Sequence, residues 1–399
     1  MGRRLLVTTI PSPAAIEKLY AAHPRLASAP YHEQLQAILF ESLNGYADAY
    51  GINFPKFGHE VEMVAPNVAQ LQLQWARENG LNRLARQFSF LSAPAVETLL
   101  DKTGAGSIYA THRRRLLDTV FLEQVRRYRP DILWIALVTP LSPAVIRQAR
   151  QFATVVVAQL DAPFPRYLDL IDCYDLIFSS YPQFVTCFNE SGLPSVHMPL
   201  AFEPTFMARC AQRYPGEAPR QHKAVFVGSF SIQHKERMRL MAALAETGLI
   251  EFWVSLDNMD KAAVPAAIRQ AAHPPVYGLE MYDVYRRARI ALNVHAEVSG
   301  PYASIFRLFE ITGAGAMLLT DDLPNLPDLF QPGVEAITFS NVQDCVDKLI
   351  YYLEHEDERA EVARRGQKRT LAEHCFEHRI PRLMAQVEPL LADRPAARQ

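Results

Sequence analysis

Short unbroken runs of apolar, mostly β-branched residues recur along the chain, and a longer amphipathic stretch follows most of them. In the first half the runs are LLVTTI (5–10), EVEMVA (60–65), DILWIALV (131–138), TVVVAQL (154–160) and DLIFSS (175–180). An alternating pattern belongs to a sheet with one wet face. An unbroken run belongs to a strand covered on both faces, as parallel strands flanked by helices are. The segments between, such as 31–50 and 116–129, have the spacing of helices. The β-α-β-α order predicts an α/β protein built on doubly wound parallel sheets.

A single layered core seldom grows beyond roughly 250 to 300 residues, so a chain of 399 residues is expected to divide. The segment HMPLAFEPTFMARCAQRYPGEAPRQH (197–222) has four prolines and no sustained period. After it the alternation restarts, with strands expected at 224–227, 250–256, 275–279, 288–295, 316–320 and 335–339. Helices are expected at 234–247, 281–288, 304–313, 342–354 and 356–372. The expected organisation is a Rossmann-like domain over 1–200, a hinge over 201–222, a second Rossmann-like domain over 223–375 and a closing helical segment over 376–399. Two such domains facing a cleft hold ligands outside the carboxyl ends of their strands. Residues 66–115 receive no role.

Lys and Arg number 41 against 43 Asp and Glu, a net charge of −2, so nothing points to nucleic acid. Five widely spaced cysteines without a C-x-x-C pair suit reduced thiols better than a disulfide framework or a zinc site. The start, MGRRLLVTTIPSP, is too short in apolar residues for a signal segment, and no apolar run reaches the roughly 18 residues of a membrane span. A cytoplasmic protein is expected, with peripheral attachment to the inner face of the membrane left open. Arg113, Arg114, Arg115, Arg126 and Arg127 form a basic patch that fits an anionic acceptor, a membrane surface or simply a solvated helix face. Asp169, Asp172 and Asp175 have helical spacing, but Asp175 is expected to begin a strand, which argues against a metal site there.

Two segments have the pattern of a phosphate site. In VFVGSFSIQHKERMRLM (225–241) a buried strand ends in Gly228-Ser229 and a helix carrying Lys235 and Arg237 follows. Glycine lets a diphosphate approach the backbone and the helix start supplies positive potential, although a plain tight turn has the same pattern. In IALNVHAEVSGPYASIFRLFEITGAGAMLLTDD (290–322) a strand ends near Asn293 and His295, a helix follows, and Gly313-Ala-Gly315 turns into the next strand. Arg307 and Glu310 share one helical face, suiting either phosphate and ribose contacts or a local ion pair.

The block N-x-H, then R-x-F-E-I-x-G-x-G-x-x-L-L-T-D, then Leu329-Phe330 with Pro332-Gly333, resembles the donor domain of group 1 glycosyltransferases of the GT-B fold. It is most similar to their spore-maturation-protein-like (CgeB-type) branch. Val227-Gly228-Ser229, Asp161-Ala162-Pro163 and a closing His374-Cys375-Phe376 with Arg379 fit in order. The resemblance covers about 155–383 well and 1–150 only by architecture.

The resemblance implies transfer of a sugar from a nucleotide-diphosphate donor, held by the C-terminal domain, to a glycan, lipid-linked or protein acceptor. Gly228, Ser229, Lys235, Arg237, Asn293, Arg307, Glu310 and Gly313 are the expected donor contacts. Asp161, ending a buried strand, and His295 are the candidate catalytic groups. Many retaining relatives carry a second glutamate where this chain has Tyr302, so the stereochemistry stays open. The sequence has no Asp-x-Asp triplet, so the leaving diphosphate is expected to be stabilised by side chains and helix dipole, with no metal and no cofactor. The alternatives are a nucleotide-sugar epimerase of the same fold and a non-catalytic two-lobed binding or scaffold protein.

Overall fold

The computed structural model describes residues 2–41, 46–91, 106–136, 141–161, 172–216, 219–229, 235–256, 264–295 and 300–393. The chain divides into two compact units, Met1–Met198 with Ile380–Gln399, and Pro199–Arg379.

The first unit holds β1 (Arg4–Thr8), β2 (Glu60–Val64), β3 (Ile132–Ile135), β4 (Val155–Gln159), β5 (Leu176–Ser179) and β6 (Ser195–His197). They form a parallel sheet in the order β2-β1-β3-β4-β5-β6. Every residue of β3, β4 and β5 is buried, as unbroken apolar runs require of strands covered on both faces. Trp134 is buried under Phe178, with ring centroids 5.6 Å apart, and meets Tyr50 at 4.7 Å and Phe54 at 5.3 Å. The prolines start helices: Pro13 follows the cap Ser12, Pro143 follows Ser142, and Pro182 opens Pro182–Glu190. Proline is suited to that position because its missing N–H has no partner there anyway. The closing helix Phe376–Ala392 reaches this unit through Glu388, whose carboxylate pairs with Arg3 at 2.5 Å.

The second unit holds β7 (His222–Ser229), β8 (Ile250–Ser255), β9 (Ala272–His273), β10 (Ala288–Asn293), β11 (Met317–Asp321) and β12 (Ile337–Phe339). These also pair in parallel, in the order β12-β11-β10-β7-β8-β9.

Three local expectations change. The strand expected at 275–279 lies earlier, at Ala272–His273, because Pro274 and Pro275 have no N–H to give a ladder and Gly278, at φ 55°, opens the helix Gly278–Arg286. The helix expected over 31–50 is two helices, Tyr31–Glu41 and Tyr46–Asn53. β6 was not anticipated, being only three residues long. No helix among the described residues is long and apolar enough to cross a membrane.

Candidate functional site

From β7 the second unit grows through β8 and β9 on one side, and from β10 through β11 and β12 on the other. The carboxyl ends of β7 and β10 are therefore a topological switch point, where the following loops diverge and leave a crevice. The donor-side residues singled out from sequence all fall on these two strand ends or on the helices that follow them. Ser229 ends β7 and Lys235 begins the helix Lys235–Glu246, but their side chains lie outside what the structure describes.

Arg307 occupies the first turn of the helix Phe306–Gly313. Its Nε donates to the carbonyl of Val227 at 3.3 Å, which sets the guanidinium at the end of β7 beside Gly228. The same guanidinium pairs with the Glu310 carboxylate, so the local ion pair and the contact with β7 coexist. Glu310 is buried and also accepts from the Tyr282 hydroxyl at 3.4 Å. Burial, reinforced by the Glu310 carboxylate, pushes the Tyr282 phenol well above its usual range, so it remains a neutral donor. Tyr282 had no signal in the sequence beyond helical spacing.

At the end of β10, Asn293 donates to the Thr320 hydroxyl at 3.0 Å, and Thr320 donates to Asp321 at 3.0 Å. His295 Nδ1 lies 2.7 Å from Asp321 Oδ1, and the His295 amide faces both Asp321 oxygens at 3.3 and 3.2 Å. Burial alone raises the Asp321 carboxyl, but the His295 imidazole, the His295 amide and Thr320 outweigh it and hold it below its ordinary range. Arg237 donates to the Val294 carbonyl at 2.5 Å, fixing the peptide between Val294 and His295. Asp321 closes the motif that begins at Arg307 but was given no role in the sequence. Its signal was available, since it ends the strand next to the switch strand.

The glycine turn has a packing explanation of its own. A Cβ on Gly313 lies 2.5 Å from Phe202 Cζ, and Gly315 has φ +81° with Arg220 and Gln367 side chains at 3.0 Å from its Cβ position. The closing motif is also structural. His374 Nε2 donates to the Leu329 carbonyl at 2.8 Å, and Arg379 donates to the carbonyls of Pro199, Leu200 and Glu373.

In the first unit Asp161 follows β4 at the carboxyl edge of the sheet. Its Oδ1 accepts from the Ser180 amide at 2.6 Å, the Ser180 hydroxyl at 2.9 Å and the Ser179 hydroxyl at 3.2 Å. Oδ2 accepts from Gln159 Nε2 at 3.2 Å, while Gln159 Oε1 takes the buried Tyr50 hydroxyl at 2.7 Å. Pro163 and Pro165 lie outside the described residues, as does Asp169. Asp175 accepts from Arg150 and from the Val156 amide, each at 2.7 Å, which ties β5 to β4.

Of the basic patch, Arg126 and Arg127 bind Glu123 and hold its carboxyl down to about 2, and Arg127 also reaches Asn79. Near them a groove of about 580 Å³ is lined by Gly80, Arg83, Leu122, Glu123 and Phe152. Its lining segments lead into β3 and β4, so it opens at the amino edge of the sheet, opposite Asp161.

Residues 235–385 match a family model described as glycosyl transferase-like. No curated protein matches the chain. Among solved structures, sucrose-phosphate synthase from Thermosynechococcus elongatus aligns over 98% of this chain and 100% of its own, with a TM-score of 0.55 and 12% identity. AviGT4, a glycosyltransferase involved in avilamycin A biosynthesis, aligns over 98% of each chain at 0.53 and 12%. HepE of Anabaena, solved with UDP-glucose, aligns over 96% of this chain and 100% of its own at 0.52 and 10%. At such identities the likeness is one of fold. The chain thus has the two-sheet GT-B fold, and its residues 235–385 are similar to a glycosyl transferase-like family.

Proposed function

We propose that the protein transfers a sugar, a hexose in the first instance, from a nucleoside-diphosphate donor to an acceptor hydroxyl. The observation that carries this reading is Arg307, which lies within the matched segment 235–385 and is held on the end of β7 beside Gly228 at the switch point. Glycosyl transfer builds oxocarbenium character on the sugar and negative charge on the departing diphosphate. A guanidinium, the backbone amides near Gly228 and Ser229 and a helix start carrying Lys235 and Arg237 are suited to stabilise that charge. In this reading no divalent metal is needed. Glu310 orients Arg307 and borders the ribose, Asn293 and His295 line the donor, Gly313 shapes the turn beneath it, and Asp161 takes the proton of the acceptor hydroxyl. The chain works in the cytoplasm, within the spore-maturation-protein-like branch, on a glycan, lipid-linked or protein acceptor.

HepE has been solved with UDP-glucose, which makes UDP-glucose the first donor to try. A panel of nucleotide sugars, assayed for nucleotide release and thermal protection with and without EDTA, tests the reading. Release from one or more donors, unaffected by EDTA, is expected. Absence of both release and protection with every donor rules it out.

A further inference from the structure

The groove beside Arg126 belongs to no part of the donor side. It measures about 580 Å³, within the roughly 300–1,000 Å³ usual for small-molecule sites. Leu81 and Leu84 line it from one core cluster, and Leu122 and Phe152 from another. All four are half-buried, so two separate clusters present apolar surface to the same groove. A Cβ on Gly80, which turns the chain at φ 76°, meets nothing within 4 Å, so the groove is open there.

The lining is held in place by its charged rim. Arg127 donates to the Asn79 side-chain oxygen at 3.0 Å and to the Asn79 carbonyl at 3.1 Å, while its Nε reaches Glu123 at 2.7 Å. The turn before the helix Asn82–Leu91 is thereby tied to the helix Gly106–Tyr128. Arg126 grips the same carboxylate through Nε and Nη2, at 2.7 and 2.6 Å. Arg126 and then Arg127 hold Glu123 down to about 2, so the one acid among the described lining residues stays ionised and is shared by two guanidiniums. Arg83, exposed in the lining, adds a further cation. The first turn of Asn82–Leu91 opens onto the same place, and its dipole also favours negative charge. Apolar surface thus adjoins a surplus of positive charge.

We infer that this groove binds a small amphipathic anion, a medium-length acyl carboxylate. Its chain covers Leu81, Leu84, Leu122 and Phe152, and its carboxylate meets Arg83 and Arg126, whose planar guanidiniums suit a planar two-oxygen acceptor. The groove opens at the amino edge of the first sheet, whereas Asp161 stands at the carboxyl edge. The site is therefore separate from the acceptor position proposed above and needs no part of the donor-site reading.

Calorimetric titration of the full chain with hexanoate, octanoate and decanoate, each below its micelle concentration, tests it. Saturable binding at one site is expected, tightening roughly tenfold with each added pair of methylenes, the scale of CH₂ burial. Decanol and decyltrimethylammonium keep the chain without the negative charge and should bind roughly tenfold or more weakly, the scale of a charge-assisted hydrogen bond. Arg83→Glu should weaken decanoate binding by a similar factor. Thr119→Trp places a large ring in the groove from an exposed helix position and should abolish it. Decanol binding as tightly as decanoate, or decanoate binding that survives Thr119→Trp, overturns the inference. So does a halving of the solution mass in Thr119→Trp, which assigns the groove to a second copy of the chain. Binding to phosphatidylglycerol vesicles without saturable decanoate binding assigns it to a membrane surface and also overturns it. The comparison of decanoate with decanol on the unmodified protein decides the matter even where a variant fails to fold.

Discussion

Phe202 lies against Gly313 so closely that a Cβ on the glycine would sit 2.5 Å from Phe202 Cζ and 2.6 Å from Cε1. The contact joins the start of the second unit to the turn after the helix Phe306–Gly313. Phe202 is fixed there by backbone bonds with His374 and Phe376, at 2.7 and 3.0 Å. Gly313→Ala must therefore move a buried ring that has little room. The expected cost is about 1–3 kcal/mol, the usual range for overpacking a core. Denaturant unfolding measures it, and Phe202→Leu in the same background should recover part of the loss.

Arg307→Ala removes the guanidinium that spans Val227 and Glu310 and leaves a buried carboxylate facing Tyr282. Thermal protection by nucleoside diphosphates should disappear. Glu310→Gln frees the guanidinium from its partner without removing it, so protection should weaken but persist. Unchanged protection in Arg307→Ala would detach the donor site from this residue.

Asp161→Asn leaves an oxygen for Ser179 and Ser180 but turns an N–H toward Gln159 Nε2, whose own oxygen is occupied by Tyr50. Two donors face each other, so stability should fall by about 1 kcal/mol. Turnover, measured well below the melting temperature, should fall by roughly 10²-fold or more with nucleotide binding retained, as for loss of a general base. Normal turnover in the destabilised variant would reduce Asp161 to an anchor between β4 and β5.

His374 supplies a pH dependence. Burial, aided by Arg379 and Arg369 and opposed by the Leu329 carbonyl, lowers its imidazole from 6.5 to about 4. The unfolded chain then binds more protons than the folded one between those values. The contribution is fully present above pH 6.5 and is lost as pH falls towards 4, by up to about 3 kcal/mol. Comparing denaturation midpoints of the unmodified protein and His374→Gln at several pH values should show the acid-side slope reduced in the variant.

The sequence by itself determined the layered α/β class, since unbroken β-branched runs such as VVVAQ can only be buried between two helical layers. It also located the segments that meet at the switch point, because Gly228, Asn293, Arg307 and Glu310 lie at strand ends and on the helix that follows, which periodicity reveals. Tertiary structure alone decided what these residues touch. Pairing β7 with β10 brings Val227 under Arg307, and pairing β10 with β11 brings Asp321 to His295. Strand order is set by how whole faces pack, and no local pattern records it. For the same reason Gly313 reads as part of a turn in the sequence, whereas in the fold it is the place where a Cβ would sit 2.5 Å from Phe202 Cζ. Local chemistry is written along the chain, but a partner distant in sequence is chosen by the shape that the buried surface takes.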